Sequence, residues 1–349
     1  MTVVDRTAAR APHVTDVRGS RTRAWRLGAG LVGAVALLVL VTGLSIAVGS
    51  KSVPLAEVWQ VLRFPDDSYA SAVVDSRIPR TLLGLLVGAA LAVAGAVIQG
   101  ITRNPLGDPG LLGVNSGAAA SVVIVTALAG VGAGRTVWAA IPGAVLAAVA
   151  VYAIGASGRG PTAVRLILAG AAVSAVLVAL VEAISLANPE VFDSYRYWVV
   201  GSLAGRPLTA VDEVLPVIAV ALLIALLLSR ALNALALGDE AATSLGLRAG
   251  HTRLLGGAVA TILTAASVAA VGPIAFVGLA VPHVVRGFTG SDHRWLLPFC
   301  VALGPVLLLG ADILGRVIAR PGEIMVGAVT AFLGAPFLIA AVRRRGAAL

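Results

Sequence analysis

Few side chains in these 349 residues could carry chemistry. There is one cysteine, Cys300, which excludes a disulfide framework and a cysteine-based metal site. The four histidines, at 13, 251, 283 and 293, lack the close helical spacing of a metal pair. The only lysine is Lys51, and no G-x-x-x-x-G-K-[ST] occurs, so no phosphate-binding loop is present. Neither HExxH nor GxSxG is found. Asp312 and Glu323 could be read as paired carboxylates, but Arg316 and Arg320 lie close by, and ion pairs at a membrane interface are the simpler expectation. Gln99 and Glu182 interrupt apolar runs. Such groups are costly in a bilayer and face a bundle interior or a water-filled path. This places Gln99 on a translocation path; Glu182, near a run's end, fits interfacial exposure equally well. The reading is a chain with no catalysis, metal or cofactor of its own.

The elements that must position these groups are membrane helices. The chain is 58% hydrophobic and 12% charged, with mean hydropathy +0.97. Soluble domains carry about twice that charge. Alternating segments of about 10 residues, the mark of a membrane β-barrel, are missing. The expected class is all-α and polytopic. Apolar runs predict ten spans, at 27–48, 80–100, 113–130, 136–156, 163–186, 211–230, 253–271, 274–287, 295–315 and 323–342. Residues 1–26, with six arginines, read as a disordered cytoplasmic tail, and 27–345 as the membrane domain. The first run is too long for a signal-peptide core and is expected to be retained.

The net charge of +9 could suggest nucleic acid. The basic residues lie between apolar runs, however, which is the pattern of topology. With an inner N-terminus and ten spans, 17 of the 26 basic residues fall inside, so both termini are expected in the cytoplasm. Arg77, Arg80, Arg316 and Arg320 then gather at outer helix ends. Two readings are open: snorkelling to headgroups, or reception of an acidic partner. At the inner face, 231–252 reads ALNALALGDEAATSLGLRAGHT. Gly238-Asp239-Glu240 starts a short helix with acids at the positive end of its dipole. It is either an ordinary connector or a knob for a soluble partner. No chain of buried ionisable groups crosses the spans, which argues against a self-sufficient proton-driven carrier.

Several stretches together resemble permeases of the iron-siderophore/cobalamin type of bacterial ABC importer. They are Arg77-Ile-Pro-Arg80, Gln99 through Gly117, Leu235 through Leu247, Gly272 through Arg286, Asp292-His293-Arg294, Ala311-Asp312 and Leu333-Gly-Ala-Pro336. The resemblance implies a BtuC-like, type II fold of ten helices in the bacterial cytoplasmic membrane. It implies a second permease subunit, identical or paralogous, two ATPases that use ATP and Mg, and an extracytoplasmic binding protein. The cargo would be a ferric siderophore; cobalamin or haem is the alternative. Arg77, Arg80 and Arg316 would receive the binding protein. Asn104, Pro105, Leu106 and Thr162 would form a cytoplasmic gate. Gly238, Asp239, Glu240, Ala241, Leu245 and Gly246, within a coupling segment 235–250, would seat in the ATPase.

Overall fold

The computed structural model describes residues 17–51, 53–64, 66–130, 136–157 and 163–346. Helices run α1 (Val17–Ala47), α2 (Leu55–Arg63), α3 (Tyr69–Thr102), a 3₁₀ turn (Pro109–Leu112), α4 (Val114–Ala129), α5 (Thr136–Ala156) and α6 (Ala163–Ala187). They continue with α7 (Pro189–Trp198), α8 (Leu208–Leu227), α9 (Ser229–Ala236), α10 (Asp239–Ser244), α11 (Ala249–Val271), α12 (Val277–Thr289), α13 (His293–Ile318) and α14 (Val326–Gly346).

Each of the ten expected spans overlaps an apolar helix, and 211–230 runs from α8 into the start of α9. Seven of these are long and apolar enough to cross a bilayer; α4, α12 and the described apolar part of α14 are shorter. At 13 residues, α12 is about 20 Å long, short of a hydrocarbon core. Gly272-Pro273 breaks the chain before it, and Gly290 at φ 71° ends it. The N-terminal boundary also moves. α1 begins at Val17, so 17–26 is helical where a disordered tail is expected. Arg23 anchors that early part by donating to the Thr289 carbonyl at the end of α12.

The bundle is wrapped around α3. Of its most apolar stretch 83% is buried, against 11% for α1 and 17% for α6. α13, α11 and α12 lie against it, and α4, α5 and α6 pack as a second group against α11. Helices can approach this closely because small residues face one another. A methyl group at Gly95 would run into the Gly278 carbonyl of α12, and one at Gly88 would press on Pro305 of α13. α3 therefore touches two neighbours backbone to backbone. It also carries functional loops at both ends, with Arg77 and Arg103 about 39 Å apart at the helical rise.

Candidate functional site

At one end of α3 the chain gathers four arginines. α1 stops at Ala47, leaving its last carbonyls without helical partners. Arg77 donates from Nη1 to the Ile46 and Ala47 carbonyls and from Nη2 to that of Lys51. Arg316 Nη1 serves Ser45 and Val48, and Arg320 Nη2 serves Gly49. The arginines thus cap α1. Asp312, fully buried, takes Arg80 at 2.8 Å and Arg316 at 3.0 Å. Glu323, expected beside Arg320, instead accepts from Arg80 Nη1 at 2.7 Å and Ser50 Oγ at 2.7 Å. Snorkelling does not describe this cluster, since Arg77, Arg80 and Arg316 are all buried. They border a cavity of about 310 Å³ with Lys51, Tyr69 and Glu323. Arg77 and Lys51 have no carboxylate partner among the described residues. The cavity wall therefore keeps a surplus of positive charge.

In the middle, Gln99 is not on an open surface. It is 2% exposed, donates to the Gly278 carbonyl at 3.2 Å and accepts from Arg286 Nη1. Its amide ties α3 to α12. The translocation-path role expected of Gln99 stays an expectation; the contacts described are those between α3 and α12.

At the other end, Arg103 closes α3 in the left-handed region, φ 51°. Asn104-Pro105-Leu106 follows as a tight turn: Asn104 Oδ1 accepts from Leu106 N at 3.0 Å, and its carbonyl from Gly107 N at 2.9 Å. Asp108 then caps the 3₁₀ turn through Gly110 N at 2.7 Å; burial pushes its carboxyl up from the ordinary value. Thr162, the expected second gate residue, lies outside the described residues.

The short α10 sits below this turn. Gly238 at φ 112° and Gly246 at φ 80° bracket it, conformations that favour glycine. Ala242 is buried, while Glu240, Leu245 and Leu237 face outward, Leu245 at 64% exposure. Ala241 is half-buried. Asp239 turns inward to Arg103 and Arg253. Sequence reading missed both arginines, and also a network next to them. Asn233 donates to Asp292 at 2.6 Å and accepts from the backbone N–H and the ring Nδ1 of His293. Arg294 and Asn233 hold the Asp292 carboxyl down at about 2. Among the described residues no group of three His, Cys, Asp or Glu could hold a metal.

Residues 37–344 match the model of the FecCD transport family. The chain belongs to that family. Within it, the ferric enterobactin transport system permease protein FepD of Escherichia coli (strain K12) is 48% identical over 316 residues, 90% of this chain and 94% of the relative. The cobalamin import system permease protein BtuC of Halobacterium salinarum is 41% identical over 286 residues, 81% of this chain and 77% of the relative. Among solved structures, a metal-chelate type ABC transporter in an inward-facing conformation superposes with a TM-score of 0.77 at 29% identity, covering 91% of this chain and 99% of that one. FecCD proteins are permease subunits of ABC transporters. They are transport components without catalysis of their own, and they work with ATPase and binding-protein partners. The BtuC-like fold read from the motifs is the fold found.

Proposed function

We propose that this chain imports a ferric siderophore across the cytoplasmic membrane, taking it from a binding protein at the arginine-lined cavity and driven by an ATPase seated on α10. The observation that carries this is that two unlike surfaces lie at opposite ends of one buried helix. One is a polar cavity with surplus positive charge, suited to acidic side chains. The other is a small outward apolar step, Leu237 and Leu245 beside Glu240, suited to a cleft in a soluble partner. Both termini are cytoplasmic in this reading, which puts the cavity outside and α10 inside.

Arg77, Arg80 and Arg316 receive the binding protein, and their rigidity is useful there. Side chains already fixed by α1 carbonyls and Asp312 lose little freedom when an acid arrives. Asn104, Pro105, Leu106 and Thr162 form the gate that closes the inner exit. Glu240, Ala241, Leu245 and the bracketing Gly238 and Gly246 form the ATPase seat. A second permease subunit, identical or paralogous, completes the path, and two ATPases supply the energy. Transport is by alternating access: closure of the ATPases moves α10, and the inner turn opens as the outer end shuts. Because the family's binding proteins confer affinity, the wall of the path need not coordinate iron, and the metal crosses inside its organic chelator. The 48% identity to a ferric enterobactin permease favours iron over cobalamin.

The test is reconstitution of the chain with its partners in proteoliposomes. ATP-dependent uptake of radiolabelled ferric enterobactin or another ferric siderophore, and none of cyanocobalamin, is the expected result. Uptake of cyanocobalamin alone would give the cobalamin reading. Gradient-driven uptake by the chain alone would overturn the importer reading.

A further inference from the structure

The half-exposed Asp239 carboxylate is held from two different helices. Arg253 of α11 grips it as a fork, Nη1 to Oδ2 at 2.8 Å and Nη2 to Oδ1 at 2.7 Å. Arg103, the residue that terminates α3, reaches the same Oδ1 through Nη2. An acid expected to meet an ATPase is thus paired with arginines of its own chain. The arginine that makes this contact is one of only two described non-glycine residues with positive φ. That conformation costs about 1–2 kcal/mol for an L-residue. It sends the chain one way, into Asn104-Pro105-Leu106, and the guanidinium the other way, onto α10. An apolar contact runs beside the ionic one: Ile101, in the last turn of α3, packs on the cluster of Ala234, Leu235 and Ala242. Two hydroxyl side chains of α10, Thr243 and Ser244, are bonded to their own backbone, which leaves Glu240 as its outward polar group.

We propose that Arg103 and Arg253 are positioning residues that clamp Asp239, so that α10 and the last turn of α3 move as one body. A displacement of α10 is then delivered straight to the Asn104-Pro105-Leu106 turn, which begins at the residue after Arg103. Exposed ion pairs contribute little to stability. The contribution here is directional, because one carboxylate fixes the distance between the coupling segment and the end of the central helix. This inference rests on the reading of α10 as the ATPase seat and adds the route by which its movement leaves it.

The experiment uses the full complex in proteoliposomes with radiolabelled ferric enterobactin as cargo, and reads iron transported per ATP hydrolysed. In Arg103→Gln/Arg253→Gln, hydrolysis should persist while that ratio falls about tenfold, a typical coupling energy between two sites. Arg103→Lys should keep most of it. The decisive arm is Arg103→Cys/Asp239→Cys. Uncoupled when free, it should regain coupling when the two thiols are joined by a short bis-maleimide. Cys300, the only native thiol, is fully buried and will not compete. Rescue by a covalent tie is not expected of residues that only support folding. An unchanged ratio in the double Gln variant, or a crosslink that leaves the complex uncoupled or stops hydrolysis, overturns the clamp. If the double Gln variant fails to assemble, the crosslinked variant alone decides. A wild-type complex without ATP-driven uptake, or Leu245→Glu that still binds the ATPase normally, would instead fail the functional reading itself.

Discussion

Arg80 and Asp312 meet side-on across the seam between α3 and α13, with Nε 2.9 Å from Oδ2 and Nη2 2.8 Å from Oδ1. Asp312 is fully buried and also faces Arg316 at 3.0 Å. One carboxylate therefore compensates two buried guanidinium groups. Removing one partner of such a set leaves uncompensated charge, at a cost of about 3–5 kcal/mol. Asp312→Ala should lower the unfolding temperature sharply and release the α1 end, measured by thermal unfolding in detergent. Stability near wild type would show that the arginines find other partners.

Glu323 occupies Arg80 Nη1 at the cavity that we assign to the binding protein. An incoming acid meets a carboxylate already in place, and like charges brought together are penalised. Glu323→Gln keeps an oxygen to accept from Arg80 and puts an amide N–H where Ser50 Oγ can accept, while removing the charge. It should tighten association of the loaded binding protein by about tenfold, with the gain shrinking as salt rises. Surface-bound permease complex and titrated binding protein give the measurement. Weaker association would mean that Glu323 belongs to the contact itself.

Arg77 lines the cavity and has no carboxylate partner among the described residues, so its charge is there to offer. Reversing it to Glu should weaken association and abolish binding-protein stimulation of ATP hydrolysis. Arg77→Gln, which retains donors for the α1 carbonyls, should show a smaller loss. Equal behaviour of the two variants would assign Arg77 to capping alone.

Gly95 and Gly278 bring the α3 and α12 backbones into contact. Over-packing such a seam costs about 1–3 kcal/mol and forces a shift. Gly95→Val should separate α12 from α3 and break the bond from Gln99 to the Gly278 carbonyl, seen as lower thermal stability and faster proteolysis. Gly28→Val, where an added methyl meets nothing within 4 Å, is the control and should be neutral.

The parts of this molecule that were legible in sequence are those that local pattern encodes. Each apolar run became a helix because length and hydropathy are properties of the segment itself. Arg77-Ile-Pro-Arg80 stood out for its charge among apolar residues. Its partners did not, because Asp312 and Glu323 come from 232 and 243 positions away, and spacing within one segment says nothing of them. The same holds for Arg103 and Asp239, 136 positions apart. Gln99 was legible as buried, yet only the packing of α12 shows that Gly278 and Arg286 use its amide. The early start of α1 was missed for another reason. Arginine is a good helix former, so a charged stretch can extend a span beyond the apolar core.

Asp108 links the inner turn to α4, and its half-buried carboxylate accepts from Gly110 N at 2.7 Å, its one hydrogen bond among the described residues. Burial raises its proton affinity above that of an exposed aspartate, whose ordinary value is 3.8. The folded chain then binds this proton more tightly than the unfolded chain. The resulting stability is full below 3.8 and is lost as pH rises through the higher folded value. Asp108→Asn keeps an oxygen for Gly110 N and has no charge to desolvate. It should unfold at a higher temperature than wild type at neutral pH, and the difference should shrink as pH falls and the native side chain takes up its proton. Thermal unfolding of both proteins across that range measures it. A variant less stable than wild type at neutral pH would mean that the charge itself is bound by a group nearby, and that the inner turn is held by the carboxylate rather than strained by it.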